Sequence, residues 1–331
     1  MERSYAFSSP YFWIDLVKFK KGSKKVRETM HLYLENFSIR VFAQSADTPM
    51  FSMEGMRPVL DIKSDTSLFN PNATVILADP FLFVKDGTLY LFYERLDKWE
   101  GTGRICMRST RDMQVWTEEK DVLIEPFHLS FPYVFEDGGK VYMLPETGAD
   151  KSIRLYEATD DSLTRWRLVK KLMEDVKPWY DSVIYKRDEK YYLFTGTDDN
   201  VHQVEHLFVS DSLTGPYTEH PMSPIYSGRD GGRNAGSIIE HKAKMHRPVQ
   251  VCINGYGEQT SVMEIERLTP TEYSENLFKK NIIDTNQPPY KEGGHQWNIV
   301  EFLGKRVVAT DYRERNYNLI ELARKIKRKL H

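Results

Sequence analysis

Asp79-Pro80-Phe81-Leu82-Phe83-Val84-Lys85-Asp86-Gly87-Thr88-Leu89-Tyr90-Leu91-Phe92 reads as a strand, an Asp-Gly turn and a second strand. Apolar runs on either side of Asp-Gly are the short-range signal of a β-hairpin. The pattern returns at Phe131-Pro132-Tyr133-Val134-Phe135-Glu136-Asp137-Gly138-Gly139-Lys140-Val141-Tyr142-Met143-Leu144. It returns again at Asp181-Ser182-Val183-Ile184-Tyr185-Lys186-Arg187-Asp188-Glu189-Lys190-Tyr191-Tyr192-Leu193-Phe194, so the copies begin 52 and then 50 residues apart. A weaker copy runs from Gly236-Ser237-Ile238-Ile239 to Arg247-Pro248-Val249-Gln250. A fifth runs from Trp297-Asn298-Ile299-Val300 to Val307-Val308-Ala309-Thr310.

A further strand follows each of the first three hairpins, at residues 105–109, 153–158 and 206–210. About four strands in a unit of roughly fifty residues is the pattern of a propeller blade. Five copies predict an all-β fold, a five-bladed β-propeller over residues 51–315. A β-sandwich also has many short strands, but not five similar hairpins at near-constant spacing.

Two segments fall outside the repeats. Residues 1–50 are set apart as an N-terminal extension, Lys-rich at 18–27 and strand-like at 30–43. Residues 316–331 are expected to form a basic amphipathic C-terminal helix. Leu319, Leu322, Ala323, Ile326 and Leu330 recur at helical spacing, beside Arg324, Lys325, Lys327, Arg328 and Lys329. Such a segment predicts peripheral contact with an anionic membrane surface.

Composition bounds the function. The 331 residues are 40% hydrophobic and 28% charged, enough apolar surface for a folded chain. A net charge of −2 gives the chain as a whole no attraction for nucleic acid. No apolar run reaches the length of a membrane span, and the first residues lack the order of a signal peptide. Cys106 and Cys252 are too few and too far apart for a disulfide scaffold or a cysteine-based zinc cluster. The expected compartment is the cytoplasm, with the inner face of the membrane as the place of peripheral contact. Aromatics reach 13%, which favours strands and sugar-binding surfaces.

In a propeller the first strand of each blade lines the channel, so residues at its start converge. Aligned repeats place Asp79, Phe131, Asp181, Gly236 and Trp297 at equivalent positions, and Glu94, Glu146 and Gly196 at equivalent positions on the second strands. Sugar chemistry needs paired carboxyls, one to move a proton and one to act at the anomeric carbon. Asp79, Asp181 and Glu146 are therefore the candidate catalytic groups, with Glu94 as a substrate-binding group. An Asp-Pro turn opening a strand is the bland alternative for Asp79, and the recurrence at Asp181 weighs against it.

Residues 228–236 combine glycines with Arg229 and Arg233, and Arg247 sits within an apolar strand. Arg233 and Arg247 are expected to grip a phosphate through parallel hydrogen bonds. The spacing is not that of a P-loop or a dinucleotide fold, and no cofactor or metal is expected. His128 and His295 enter the second and fifth hairpins and complete the candidate substrate-binding set. His202-Gln203-Val204-Glu205-His206 matches a zinc-peptidase pattern. That chemistry needs both histidines on one face of a helix, and this segment runs into a strand.

Several of these motifs, in order over about residues 70–312, resemble one known family. They are Ala78-Asp79-Pro80-Phe81-Leu82-Phe83, Leu91-Phe92-Tyr93-Glu94, Ser130-Phe131-Pro132-Tyr133-Val134-Phe135, Met143-Leu144-Pro145-Glu146, Arg233-Asn234-Ala235-Gly236 and Arg247-Pro248-Val249-Gln250. The family is that of the N-terminal propeller domain of plant glucosamine inositolphosphorylceramide transferase and its bacterial relatives. More distantly the chain is similar to five-bladed propeller glycosidases of the arabinanase and β-xylosidase type. The resemblance implies a carbohydrate-active fold. The resemblance implies that the recognised transferase domain of the plant enzyme is a separate, C-terminal one, which is not expected within this sequence. The arabinanase-like enzymes carry acidic residues at the openings of the first three blades. Here the second is Phe131, and Glu146 stands in as the substitute.

The resulting expectation is a glycosyltransferase in cell-surface glycan or glycolipid assembly. Its donor is a sugar with a phosphate leaving group, nucleotide- or phosphate-linked, and its acceptor is a glycan or a lipid-linked group. Asp79 is the base, Arg233, Arg247 and His295 neutralise the leaving phosphate, and Asp181 and Glu146 act on the sugar. The alternatives are a glycoside hydrolase or phosphorylase, and a non-catalytic glycan-binding propeller.

Overall fold

The structure is a computed structural model and describes residues 34–65, 74–97, 101–174, 177–199 and 202–316. Among these the chain is all-β. Helix is confined to two single 3-10 turns, Gly148–Asp150 and Tyr290–Glu292. Each hairpin read in the sequence is an antiparallel pair. Thr74–Lys85 pairs with Thr88–Asp97, Ser130–Asp137 with Lys140–Glu146, and Tyr180–Arg187 with Lys190–Asp198. The turns close where Asp86, Gly87, Gly138 and Gly139 take up left-handed backbone.

Three separate sheets run outward from their first hairpin. One holds Ser130–Asp137, Lys140–Glu146, Ser152–Ala158 and Trp166–Glu174 in order. The next holds Tyr180–Arg187, Lys190–Asp198, Gln203–Ser210 and Thr218–Glu219, with Tyr226–Ser227 also on Gln203–Ser210. The third holds Ile239–His241, Lys244–Val251, Gln259–Leu268 and Tyr273–Lys279. The largest sheet contains the first and the last described strands. Thr74–Lys85, Thr88–Asp97, Arg104–Thr110 and Lys120–Leu123 form one side of it; Asn298–Phe302, Lys305–Asn316, Leu34–Gln44 and Arg57–Ile62 form the other. The two sides meet at a single parallel pair, Phe37 with Ile76.

Leu34–Gln44 pairs along its whole length with Lys305–Asn316. The boundary drawn at residue 50 therefore moves: this segment belongs to the sheet and not to a separate extension. Backbone groups of a buried strand must find partners, and here they lie at the far end of the chain. The Lys-rich stretch at 18–27 and the C-terminal segment 317–331 lie outside the described residues.

Hydrophobic cores sit between neighbouring strand groups. Ile39 and Val41 pack with Leu82, Leu89 and Leu91. Tyr90, Phe92 and Ile105 pack with Val134, Val141 and Met143. Phe131, Tyr133 and Leu144 pack with Val183, Ile184 and Leu193. Tyr192, Phe194 and Leu207 pack with Met245 and Ile265. Ile239 and Val262 pack with Trp297, Val308 and Tyr312. Each fully buried side chain of this size contributes about 1.5–3 kcal/mol, so these junctions outweigh the one backbone pair between Phe37 and Ile76. At the last junction Gly236 is held at φ 146°. A Cβ there would lie 2.2 Å from the Trp297 carbonyl oxygen, so only glycine permits the approach.

Candidate functional site

The first strands of the first three hairpins share a local irregularity. Register skips between Ala78 and Phe81, between Ser130 and Tyr133, and between Tyr180 and Val183. In each gap one residue is left-handed: Asp79 at φ 52°, Phe131 at 45° and Asp181 at 51°. Such backbone is uncommon outside glycine and is tolerated better by Asp than by Phe. A bulge of this kind re-aims its side chain. Opposite the bulges, Ala78 faces Glu94, Ser130 faces Glu146 and Tyr180 faces Gly196. The alignment of repeats thus corresponds to equivalent backbone.

Residues from three hairpins meet around Arg233. Its Nε donates to Asp181 Oδ2 at 2.7 Å. Its terminal nitrogens lie 3.7 Å from Glu146 Oε2 and 3.8 Å from Asp198 Oδ2. The Tyr180 and Tyr256 rings cover the guanidinium at 4.9 and 5.4 Å. Asp181 also accepts from Gln250 Nε2 at 2.9 Å, and its carbonyl accepts from Asn234 Nδ2 at 2.8 Å. Glu146 is the most open of the three candidate catalytic carboxyls, its side chain 10% exposed against 2–3% for Asp181 and Asp79. Burial raises its pKa well above the ordinary carboxylate value, and Asp181 beside it adds to the effect. Burial alone would lower the Arg233 value; Asp181 and its other neighbours hold it well above the usual one.

Asp79 anchors the second part of the site. Its Oδ2 accepts from the Phe131 amide at 3.1 Å, linking first and second hairpins. Its Oδ1 lies 3.2 Å from His295 Nε2, and His295 Nδ1 lies 3.0 Å from Asp311 Oδ2. Asp311 also accepts from the backbone amides of Asp79 and His295. His295 is fully buried. Burial opposes its charge, but the two carboxylates raise its pKa well above the ordinary imidazole value. Asp79 is itself raised by burial, with His295 opposing. Among the described residues, Asp79, His295 and Asp311 are also the group that could hold a metal, with ligand atoms within 4.8 Å of one another. His295 turns a different nitrogen to each carboxylate, a donor set that fits a doubly paired imidazolium.

Glu94 is fully buried, 3.2 Å from His128 Nε2. His128 Nδ1 accepts from the Gly103 amide at 2.9 Å, so both ring nitrogens face the protein. Burial raises the pKa of Glu94 and opposes charge on His128, which Glu94 pulls above its ordinary value.

Arg247 has partners other than those of Arg233. It is fully buried, and Glu275 takes its Nε and Nη2 at 3.0 and 2.5 Å. Its Nη1 donates to the Gly231 carbonyl and to Asn234 Oδ1. No guanidinium edge is left to grip a phosphate, so Arg247 reaches the site only through Asn234. Residues 203–206 open the strand Gln203–Ser210, and His202 lies just before it. His202 is exposed and Glu205 is fully buried, so the peptidase pattern has no common face. Asp311, Asp198, Asn234, Gln250, Tyr180 and Tyr256 were not singled out from the sequence. For Asn234 and Gln250 a signal existed in the motifs that contain them; Asp311 lies in the second strand of the fifth hairpin, just past the stretch that marks that copy.

Residues 44–303 match the profile of the family described as glucosamine inositolphosphorylceramide transferase 1, N-terminal. The chain belongs to this family. Glucosamine inositolphosphorylceramide transferase 1 of Oryza sativa subsp. japonica is 34% identical over 253 residues, 74% of this chain and 32% of that protein. The Arabidopsis thaliana protein of the same name is 34% identical over 225 residues, 66% of this chain and 29% of its own. The chain thus spans about a third of the length of the curated relatives it matches. Among solved structures, the family 117 glycoside hydrolase Zg3597 of Zobellia galactanivorans aligns with a TM-score of 0.53 at 13% identity, covering 86% of this chain and 92% of that one. An α-L-arabinofuranosidase of Podospora anserina aligns at 0.54 and 10%, covering 72% and 90%. These identities speak for the fold alone, an all-β propeller shared with glycoside hydrolases. The curated relatives are named as transferases.

Proposed function

We propose that this chain is a sugar-handling propeller that serves glycosyl transfer in the assembly of a cell-surface glycan or glycolipid. One observation supports it above the others: carboxyls of the second and third hairpins, Glu146, Asp181 and Asp198, meet around a single arginine, Arg233, that comes from just before the fourth, and Asp79 of the first hairpin interacts electrostatically with Asp181 and Glu146. Glycosyl transfer joins an acceptor oxygen to the anomeric carbon and breaks that carbon's bond to the donor phosphate. The electron pair leaves on the phosphate, and the acceptor proton passes to a base. In this reading Asp79 is the base, while Asp181 and Glu146 face the positive charge that develops on the sugar. Arg233 and His295 offset the charge of the departing phosphate. Arg247 contributes at one remove, by holding Asn234. The donor is a nucleotide- or phosphate-linked sugar and the acceptor a glycan or lipid-linked group.

The count of five blades belongs to the same reading. It is supported by five cores that link the strand groups in a cycle, and by the single backbone pair at which the largest sheet divides. Cytoplasmic location, with the basic segment 317–331 on an anionic membrane face, is a further part of the proposal. Full-length protein is expected to bind phosphatidylserine vesicles at low salt and to release them on deletion of 317–331. Indifference to such vesicles at low salt would remove the membrane contact.

A second reading, a glycan-binding propeller without turnover, is favoured by the near-complete burial of Asp79 and Asp181. Thermal-shift measurements on the full chain with nucleotides, nucleotide sugars and free sugars separate the two. Stabilisation by nucleotide sugars beyond that by either component supports transfer. Stabilisation by free sugars alone supports binding only, and none by any of them defeats both.

A further inference from the structure

Glu205 was met in the sequence only as part of a discarded motif, and the mechanism above does not use it. It is fully buried on Gln203–Ser210 and pairs across the ladder with Gly196. Gly196 is the position that Glu94 and Glu146 occupy in the first two hairpins. A Cβ built on Gly196 would lie 3.6 Å from Glu205 Oε2 and 3.2 Å from the Gly232 carbonyl oxygen. The third hairpin therefore leaves that place clear of side chain, and the neighbouring strand fills it with a carboxyl.

The connections of this carboxyl lead into the site. Glu205 Oε1 accepts from Asn234 Nδ2 at 2.7 Å. The same Nδ2 donates to the carbonyl of left-handed Asp181 at 2.8 Å, and Asn234 Oδ1 accepts from Arg247. Asn234 follows Arg233 in the chain, so whatever fixes Asn234 also fixes the Arg233 backbone and its reach to Asp181. Among the described residues, Glu205 Oε2 has no hydrogen-bond partner. A buried orphan of this kind is costly, and packing alone would be served better by an apolar side chain.

We propose that Glu205 is a positioning residue, which supplies the third carboxyl of the repeat set and sets the Asp181–Arg233 pair through Asn234. The proposal rests on the reading of Asp181 and Arg233 as site residues. Charged and titratable groups on three neighbouring elements act on Glu205: Arg247 on Lys244–Val251, Glu275 and Tyr273 on Tyr273–Lys279, and Asp181 on Tyr180–Arg187. Burial, opposed by Arg247 and Asn234, raises its pKa to about 8.

The test follows the Arg233 Nε–H signal by NMR in the intact, ligand-free chain, identified by its loss in Arg233→Lys. Glu205→Ala is expected to speed exchange of that proton about tenfold, the equivalent of one lost hydrogen bond. Glu205→Gln keeps an acceptor for Asn234 and is expected to restore slow exchange. In the wild type the signal is expected to shift with a midpoint near pH 8, and in Glu205→Gln to stay flat. Wild-type exchange in Glu205→Ala, or wild-type titration in Glu205→Gln, overturns the proposal. Should Glu205→Ala fail to fold, the Glu205→Gln titration decides alone. No sugar enters the experiment, so its outcome is separate from that of the sugar-handling reading.

Discussion

Arg233 shows how much one side chain carries here. Its guanidinium is 5% exposed and faces three carboxylates, with only the Asp181 contact short enough to be a hydrogen bond. Removing one partner of a buried ion pair strands the other charge and costs about 3–5 kcal/mol. Arg233→Ala is therefore expected to lower unfolding stability by about that amount, read from urea denaturation with an unchanged m-value. A loss within the scatter of a surface substitution would mean that the carboxylates around it are not held together by its charge. The titrating groups of the site carry a second expectation. Glu205 rises from 4.5 to about 8 in the folded state, so the native chain binds more protons than the unfolded one across that interval. Stability must then fall as pH rises from the ordinary carboxylate range to about 8. His295 acts with the same sign. Its raised value gives stability that is complete below the ordinary imidazole pKa and is lost as pH rises through the folded value. Melting temperatures are expected to decline over this range, with a shallower decline in Glu205→Gln. A flat profile would contradict both assignments.

At the scale of elements, the hairpins were legible and the pairing of the first and last described strands was not. Asp86-Gly87 and Asp137-Gly138 mark turns through local chemistry alone, and alternation then fixes which side chains face inward. Asp79, Asp181, Glu94 and Glu146 could be aligned for that reason, because each sits at a fixed offset from its turn. Asp311 could not. It lies deep in Lys305–Asn316, where nothing local separates a site carboxyl from an ordinary strand residue. Phe131 was read as a departure from an acidic pattern, yet it keeps the left-handed backbone of its counterparts and gives its amide to Asp79. Residues 30–43 read as strand-like, but the pairing of Leu34–Gln44 was hidden because its partner, Lys305–Asn316, lies far along the chain. A truncation that begins at residue 45 removes this whole ladder and is expected to abolish cooperative thermal unfolding. A truncated chain that melts as sharply as the full one, at the same temperature, would show that the ladder is not needed for closure.

Across the whole molecule, the geometry ties each strand group to its neighbours at the starts of the first strands. Phe131 donates to Asp79, Tyr133 to the Ile184 carbonyl, and Asn234 to the Asp181 carbonyl. Trp297 donates to the Ala235 carbonyl, and Leu82 to Asn298 Oδ1. A site built in this way depends on every group keeping its place, which explains why its residues are spread from Asp79 to Asp311. The central claim is that the mouth formed by Glu146, Asp181 and Arg233 takes a sugar. Its most direct test is isothermal titration calorimetry of the full chain with glucosamine, N-acetylglucosamine and their uridine-diphosphate derivatives, repeated on Glu146→Gln. Glu146 is the most open of the candidate catalytic carboxyls and is not among the groups that hold the strand starts together. Saturable binding of at least one of these by the wild type, weakened roughly tenfold or more in a Glu146→Gln chain that melts normally, is the expected result. Binding unchanged by Glu146→Gln, or no binding by a fully folded wild type, would contradict it.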